Sequence, residues 1–237
     1  MNLKEKNSTG EEGNMNDEKI DPWGSGGIRD YEQTMEKFGI EPMSEIIEEV
    51  PEPHRLMRRG IILGQRDFGR IAEAMRKEND FALLTGLMPS GKFHFGHKMV
   101  ADQIIYYQNH GAEVYVCVAD VEVHNTRDIP LDKAREIAID QYLKNYIAMG
   151  LEPEKCNFYF QSEGPKEYQV LSKLLADKTT LNEMEAIYGD LEPGKIVSIL
   201  TQIADILYPQ MEMEGGPRPT ITPVGFDQDP HARLTRD

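Results

Sequence analysis

Short apolar runs alternating with stretches of helical periodicity constrain this chain more than any other feature. Phe81-Ala-Leu-Leu-Thr85, Val114-Tyr-Val-Cys-Val-Ala119 and Asn157 to Gln161 read as strands. Between them, Lys98 to His110 and Asp132 to Met149 carry apolar residues at helical spacing, with Ala134, Ile137, Ala138, Tyr142 and Ile147 in phase in the second. Gly111 and Gly150 follow as helix-ending residues. Continuous apolar strands are covered on both faces, so the pattern argues for a parallel α/β sheet with right-handed crossovers. In such sheets ligands sit at the carboxyl ends of the strands, where the strand order reverses. Here those ends are Thr85-Gly86, Asp120-Val121-Glu122 and Gly225-Phe-Asp-Gln-Asp229, and polar residues crowd all three.

The rest of the chain falls around this centre. Residues 1 to about 20 are almost free of apolar side chains and read as a disordered tail. Trp23 stands near its boundary and is expected to pack onto the body. Residues 21–78 form an extension with helix patterns at Tyr31 to Phe38, Ser44 to Val50 (capped by Ser44) and Asp67 to Lys77, and a basic cluster of Arg55, Arg58 and Arg59. After the third strand come helical patterns at Lys166 to Ala176, Thr180 to Glu192 and Ile196 to Leu207. Pro193-Gly194 is read as the end of the second of these. A Gly/Pro loop, Gly215 to Pro219, precedes a fourth strand at Thr220 to Val224 and a helix from Asp227 to Asp237.

Chemistry concentrates in the turn after the first strand, Met88-Pro-Ser-Gly-Lys-Phe-His-Phe-Gly-His97. A strand, a glycine turn and a helix N-terminus together make a phosphate site, because free N–H groups point outward at the helix start. His94 and His97 add donors and charge to that phosphate as displacement proceeds. Lys92 reads as a solvated turn lysine. The spacing also admits a metal pair, for which no third ligand lies nearby in sequence, and ordinary turn histidines. Asp120 and Glu122 are placed to hold an ammonium group or a ring N–H, or else simply face water. His124 lies within reach of the same loop.

Composition narrows the class. Cys117 and Cys156 are the only cysteines and have no disulfide or metal spacing, which points to a reducing cytoplasm. Cys117 reads as core packing. No apolar run approaches the ~20 residues of a membrane span, and the polar N-terminus lacks a signal-peptide stretch. The net charge of -15 is unlike that of a protein that grips nucleic acid mainly through phosphates. Either nucleic acid is not held tightly, or a local patch or a further segment holds it; a saline host cytoplasm would equally account for the acidity.

At this point the residues resemble a known family. Pro89-Ser-Gly-x-x-His94-x-Gly96-His97 is similar to the adenylate-binding motif of class I aminoacyl-tRNA synthetases. Gly225-Phe-Asp-Gln-Asp-Pro-His-Ala-Arg-Leu-Thr-Arg-Asp237 resembles a segment of the tryptophanyl-tRNA synthetases of the archaeal/eukaryotic type. Asp21-Pro-Trp23, Lys37-Phe-Gly39, Arg58-Arg-Gly60 and Arg66-Asp67 resemble that family's N-terminal region, so the match runs in register from about residue 20. The resemblance implies an α/β, Rossmann-like nucleotide-binding fold with a parallel sheet, a helical insertion and an N-terminal helical extension. The catalytic domain would span 79–237, with a connective insertion at about 162–200.

The resemblance further implies activation of L-tryptophan by ATP and Mg2+, followed by transfer to tRNA(Trp), in a cytoplasmic homodimer with no membrane attachment. Thr85, Gly86, Pro89, Ser90, His94, Gly96 and His97 would hold ATP, with His94 and His97 catalytic and Gly96 letting the adenine lie close. Glu122, Gln202 and Gln228 would form the tryptophan pocket, Lys195 keeps its place in a G-K-I segment, and no resident protein metal is implied. Leu84, Cys117 and Ala232 depart from residues often found in the family. A K-M-S-K-S-type loop and a helical anticodon-binding domain would follow Asp237, so the chain is read as the N-terminal catalytic part. The alternatives are a non-catalytic or split-enzyme fragment that binds ATP or tryptophan, and a different nucleotidyltransferase with the same H-x-G-H motif.

Overall fold

The computed structural model describes residues 30–236. The expected tail and the packing of Trp23 lie outside the described residues.

The extension begins with α1 (Tyr31–Phe38). The Asp30 carboxylate caps it by accepting the Gln33 N–H at 3.0 Å, and Gly39 ends it in the left-handed region. A two-residue antiparallel ladder, β1 (Glu41–Pro42) with β2 (Gly64–Gln65), encloses the short α2 (Arg55–Arg58). The helix expected over Ser44 to Val50 is two 3-10 turns instead, Met43–Glu45 and Ile47–Glu49. Pro42 and Pro51 bracket the segment, and Ser44 lies inside the first turn rather than capping it. These turns still bury Met43 and Val50 against α3 (Gly69–Lys77).

The centre is a four-stranded parallel sheet of β3 (Ala82–Leu87), β4 (Glu113–Val118), β5 (Cys156–Phe160) and β6 (Thr220–Ile221), in the order β5-β4-β3-β6. Its strands alternate side chains between two buried faces. Leu83, Val114, Val116 and Val118 join the core shared with Ala72, Ile104 and Tyr107. Ala82, Leu84, Tyr115 and Cys117 join a second core with Tyr168, Ala204 and Tyr208. Burial on both faces is why these strands read as unbroken apolar runs.

The crossovers carry the helices. α4 (Phe95–Asn109) connects β3 to β4. Between β4 and β5 run α5 (Asp120–Arg127), α6 (Leu131–Ile137), a π-helical segment (Ala138–Leu143) and α7 (Lys144–Ala148). α8 (Lys166–Leu174), α9 (Leu181–Tyr188) and α10 (Pro193–Leu207) lie between β5 and β6, and α11 (Asp229–Arg236) follows β6. The chain steps outward from β3 to β5, then returns to add β6 on the other side of β3. The carboxyl ends of β3 and β6 therefore flank the reversal point.

Several boundaries differ from expectation, each for a local reason. α4 begins three residues before Lys98, because the His94 side chain caps it. Asp120 and Glu122 lie in the first turn of α5, not in a strand-end loop. The helix expected over Asp132 to Met149 is interrupted by the π segment, and Ile147 is exposed rather than buried. α9 stops at Tyr188, and Pro193 opens α10 instead of closing its predecessor, as its missing N–H allows at a first turn. β6 ends at Ile221, short of Pro223.

Candidate active site

β3 delivers the H-x-G-H turn at the reversal point. Thr85 is buried on the strand, whereas Gly86 has open space where a Cβ would stand. The turn is tied back by the Ser90 N–H to the Met88 carbonyl at 2.8 Å. The hydroxyl of Tyr142, in the π segment, faces the backbone of Ser90 and Gly91; burial pushes its pKa up, against the pull of those two N–H groups. Its ring stands edge-on to His97, with centroids 4.7 Å apart. The π turn is thus what aims Tyr142 at the phosphate-type turn, a common placement for such irregularities.

The two histidines cap each other's backbone. His94 is the N-cap of α4, and its Nδ1 accepts the Gly96 N–H at 3.2 Å. His97 Nδ1 accepts the His94 N–H at 3.3 Å, and the rings stack with centroids 3.7 Å apart. Because a backbone N–H donates to each Nδ1, each Nδ1 presents a lone pair, and a neutral ring carries its proton on Nε2. Both rings therefore offer an Nε2–H donor at their far edge. Burial first, and His94 second, push the His97 pKa down to about 4. With its pKa held that low, His97 presents a directed donor in the neutral form. Gly96 has a reason beyond the approach of an adenine: its Cβ would lie 3.1 Å from His94 Cε1 and 3.2 Å from Nδ1, crowding the capping ring. Lys92 is exposed, as expected of a turn lysine.

The other wall is built from α5, the end of β5 and α10. Asp120 is buried; its Oδ1 accepts N–H groups from Val121 at 3.0 Å and Ser162 at 3.1 Å, and Oδ2 accepts the Ser162 hydroxyl. Asp120 is thus committed to a protein clamp and does not face water. Glu122 is also buried, and its N–H donates to Gln161 Oε1 at 3.2 Å. Gln161 in turn donates from Nε2 to Asp205 Oδ2 at 2.8 Å. Asp205 Oδ1 accepts Tyr168 Oη–H at 2.7 Å, Tyr159 Oη–H at 3.0 Å and the Cys117 thiol at 3.2 Å. Burial pushes the Asp205 pKa up against the pull of these hydrogen bonds, and pushes the Cys117 thiol up as well. Cys117 therefore does more than pack: it is a fixed thiol donor to a buried carboxylate.

Gln202 and Gln228, far apart in sequence, meet: Gln202 Nε2 donates to Gln228 Oε1 at 3.3 Å, and Gln228 Nε2 donates to Asp227 Oδ2 at 2.8 Å. Lys195 lies in the first turn of α10. His124 turns away, with Nδ1 3.2 Å from the Ile129 carbonyl. Asp205, Gln161, Tyr159 and Tyr168 were not singled out from the sequence. Asp205 had a signal: it is a lone charge within the apolar run Ile196 to Leu207. Among the described residues no group of three or more His, Cys, Asp or Glu side chains is placed to hold a metal ion.

Residues 76–237 match the model of the class I tRNA synthetases (W and Y). A tryptophan–tRNA ligase of Hyperthermus butylicus is 51% identical over 224 residues, covering 92% of this chain and 60% of that protein. The corresponding ligase of Aeropyrum pernix is 50% identical over 224 residues, covering 93% of this chain and 60% of that protein. The crystal structure of tryptophanyl-tRNA synthetase from Aeropyrum pernix aligns with a TM-score of 0.83 at 49% identity, over 92% of this chain and 60% of that one. A tryptophanyl-tRNA synthetase from Encephalitozoon cuniculi, bound to tryptophan, aligns at 0.77 and 22% identity over 87% of this chain and 64% of that one, a likeness of fold alone. The chain spans about 60% of the length of the curated relatives it matches.

Proposed function

The chain belongs to the class I tRNA synthetases (W and Y), and on that premise we propose that it carries the activation of L-tryptophan by ATP. In this reading a tryptophan carboxylate oxygen attacks the α-phosphorus, the bond to the bridging oxygen breaks, and pyrophosphate leaves. His94 and His97 donate through Nε2–H to phosphate oxygens as charge grows on them, with the N-terminus of α4 behind. Thr85, Gly86, Pro89, Ser90 and Gly96 line the nucleotide's path, and Mg2+ travels with the triphosphate rather than in a protein cage. Membership of this family sets aside an unrelated H-x-G-H nucleotidyltransferase.

The amino acid lies between Glu122, Gln202 and Gln228, with Asp205 as the floor. Asp205 Oδ1 is occupied by Tyr168, Tyr159 and Cys117, while Oδ2 takes Gln161 alone. A remaining lone pair on Oδ2 suits an indole N–H, and a buried acceptor left unpaired would discriminate against analogues that lack that proton. The names of the similar proteins support tryptophan as the substrate and tRNA(Trp) as the acceptor served by the whole protein. We extend the same reading to a homodimer working in the cytoplasm; among the described residues no helix is long and apolar enough to cross a membrane.

The observation that carries the proposal is the pair of outward Nε2–H donors at the reversal point, on the helix end nearest the phosphate-type turn. Tryptophan-dependent ATP–pyrophosphate exchange tests it. Exchange that requires tryptophan and ignores tyrosine is expected; exchange driven by tyrosine, or no response to any amino acid, counts against it.

A further inference from the structure

Residues before 76 fall outside the matched family span, yet they hold the segment after β6 at several points. Arg66 reaches across the fold to Asp229: its Nε and Nη2 donate to Oδ1 at 3.0 and 2.8 Å. The same guanidinium donates from Nη1 to the Gly39 carbonyl at 3.0 Å and from Nη2 to the Phe38 carbonyl at 2.7 Å. Asp229 is buried and opens α11, immediately after the turn Phe226–Gln228. Arg233, one helical turn on, approaches Asp229 Oδ2 at 3.0 Å and lies over the Phe38 ring at 4.4 Å. Arg236 pairs with Asp67 at 3.1 Å, and Tyr31 meets Phe226 with ring centroids 5.3 Å apart. Asp67 holds a φ of 53°, a left-handed backbone that a non-glycine residue adopts at a cost, beside the residue that makes these bonds.

We propose that Arg66 is a positioning residue of the amino-acid site, acting through Asp229 to hold the Phe226–Gln228 turn so that Gln228 meets Gln202. A carboxylate at a helix N-terminus is already favoured there, so Asp229 does not need Arg66 merely to start α11. What Arg66 adds is a planar fork that joins α1's last carbonyls to the first residue of α11, a task a lysine cannot perform. The extension thereby becomes a working part of the pocket rather than an appendage. This rests on the tryptophan reading above.

A double-substitution cycle read by calorimetric titration with L-tryptophan tests the coupling. Arg66→Lys keeps the charge and loses the fork; it is expected to weaken tryptophan binding about tenfold, the scale of one lost charge-assisted hydrogen bond, while circular dichroism shows a folded chain. Gln228→Ala should weaken binding in the unsubstituted chain and add little in the Arg66→Lys background. A simple structural staple would give additive losses, and additivity overturns the proposal. Should Arg66→Lys fail to fold, Asp229→Asn in the same cycle gives the same test with the same two outcomes. An unsubstituted chain that binds no tryptophan overturns the amino-acid reading and this inference with it; binding with additive losses overturns this inference alone.

Discussion

His94 and His97 each spend one ring nitrogen on the backbone and keep the other for a ligand, so stability and chemistry can be separated by substitution. Asparagine is a good N-cap; His94→Asn should leave the melting temperature within a degree or two, yet lower exchange about a hundredfold, the scale of losing one preorganised donor. A proportional loss of stability would mean that the ring is only a cap. His231 supplies the pH dependence. It is buried, its Nδ1 lies 2.9 Å from Tyr188 Oη, and burial pushes its pKa down to about 3. The unfolded chain protonates this ring near pH 6.5 and the folded chain does not, so the unfolded state binds the extra proton and stability falls as pH drops from about 6.5 toward 3. His97 adds in the same direction down to about pH 4. Melting temperatures should fall across that window, less steeply in His231→Gln; an equal slope in both proteins would contradict this. The histidines of the turn were legible because their spacing is local. Asp205 gathers Cys117, Tyr159, Gln161 and Tyr168 from two strands and two following segments, and no spacing in one dimension announces such a cluster.

At the scale of elements, the sheet was legible and the ends of helices were not. β3 and β4 are buried on both faces and therefore show as apolar runs, whatever the rest of the fold does. α4 starts early because a histidine, an unusual cap, replaces the expected serine or aspartate. The π segment was hidden because Ala134, Ile137, Ala138 and Tyr142 fit ordinary helical spacing equally well. That segment has a consequence for function: it holds Tyr142 with its hydroxyl facing the Ser90 and Gly91 backbone and its edge on His97. Tyr142→Phe keeps the edge contact and removes the hydroxyl. It should raise the KM for ATP several-fold with little change in that for tryptophan, as measured by exchange kinetics; a matched rise in both would place Tyr142 in general packing instead.

At the scale of the whole molecule, the fold joins distant stretches at the carboxyl end of one sheet. In the proposed reading the turn after β3 supplies donors for a phosphate, α5 and α10 line the amino-acid side above the buried Asp205, and the extension ties down the segment that carries Gln228. The formal charge of -15 coexists with the Arg55, Arg58 and Arg59 cluster on and beside α2, so net charge is a poor guide to any one surface. Arg55 and Lys98 both pair with Asp102 on α4, which places that cluster near the phosphate-type turn. The account stands on one claim: nucleotide and amino acid occupy adjoining halves of a single site. A non-hydrolysable tryptophanyl-adenylate analogue, a sulfamoyl adenosine bearing tryptophan, spans both halves at once. Calorimetric titration of this chain should show it binding at least about a hundredfold more tightly than L-tryptophan alone, as expected when two sets of contacts meet in one molecule that mimics the reacting state. An analogue that binds no more tightly than tryptophan would show that the two halves do not form one site, and would contradict the account.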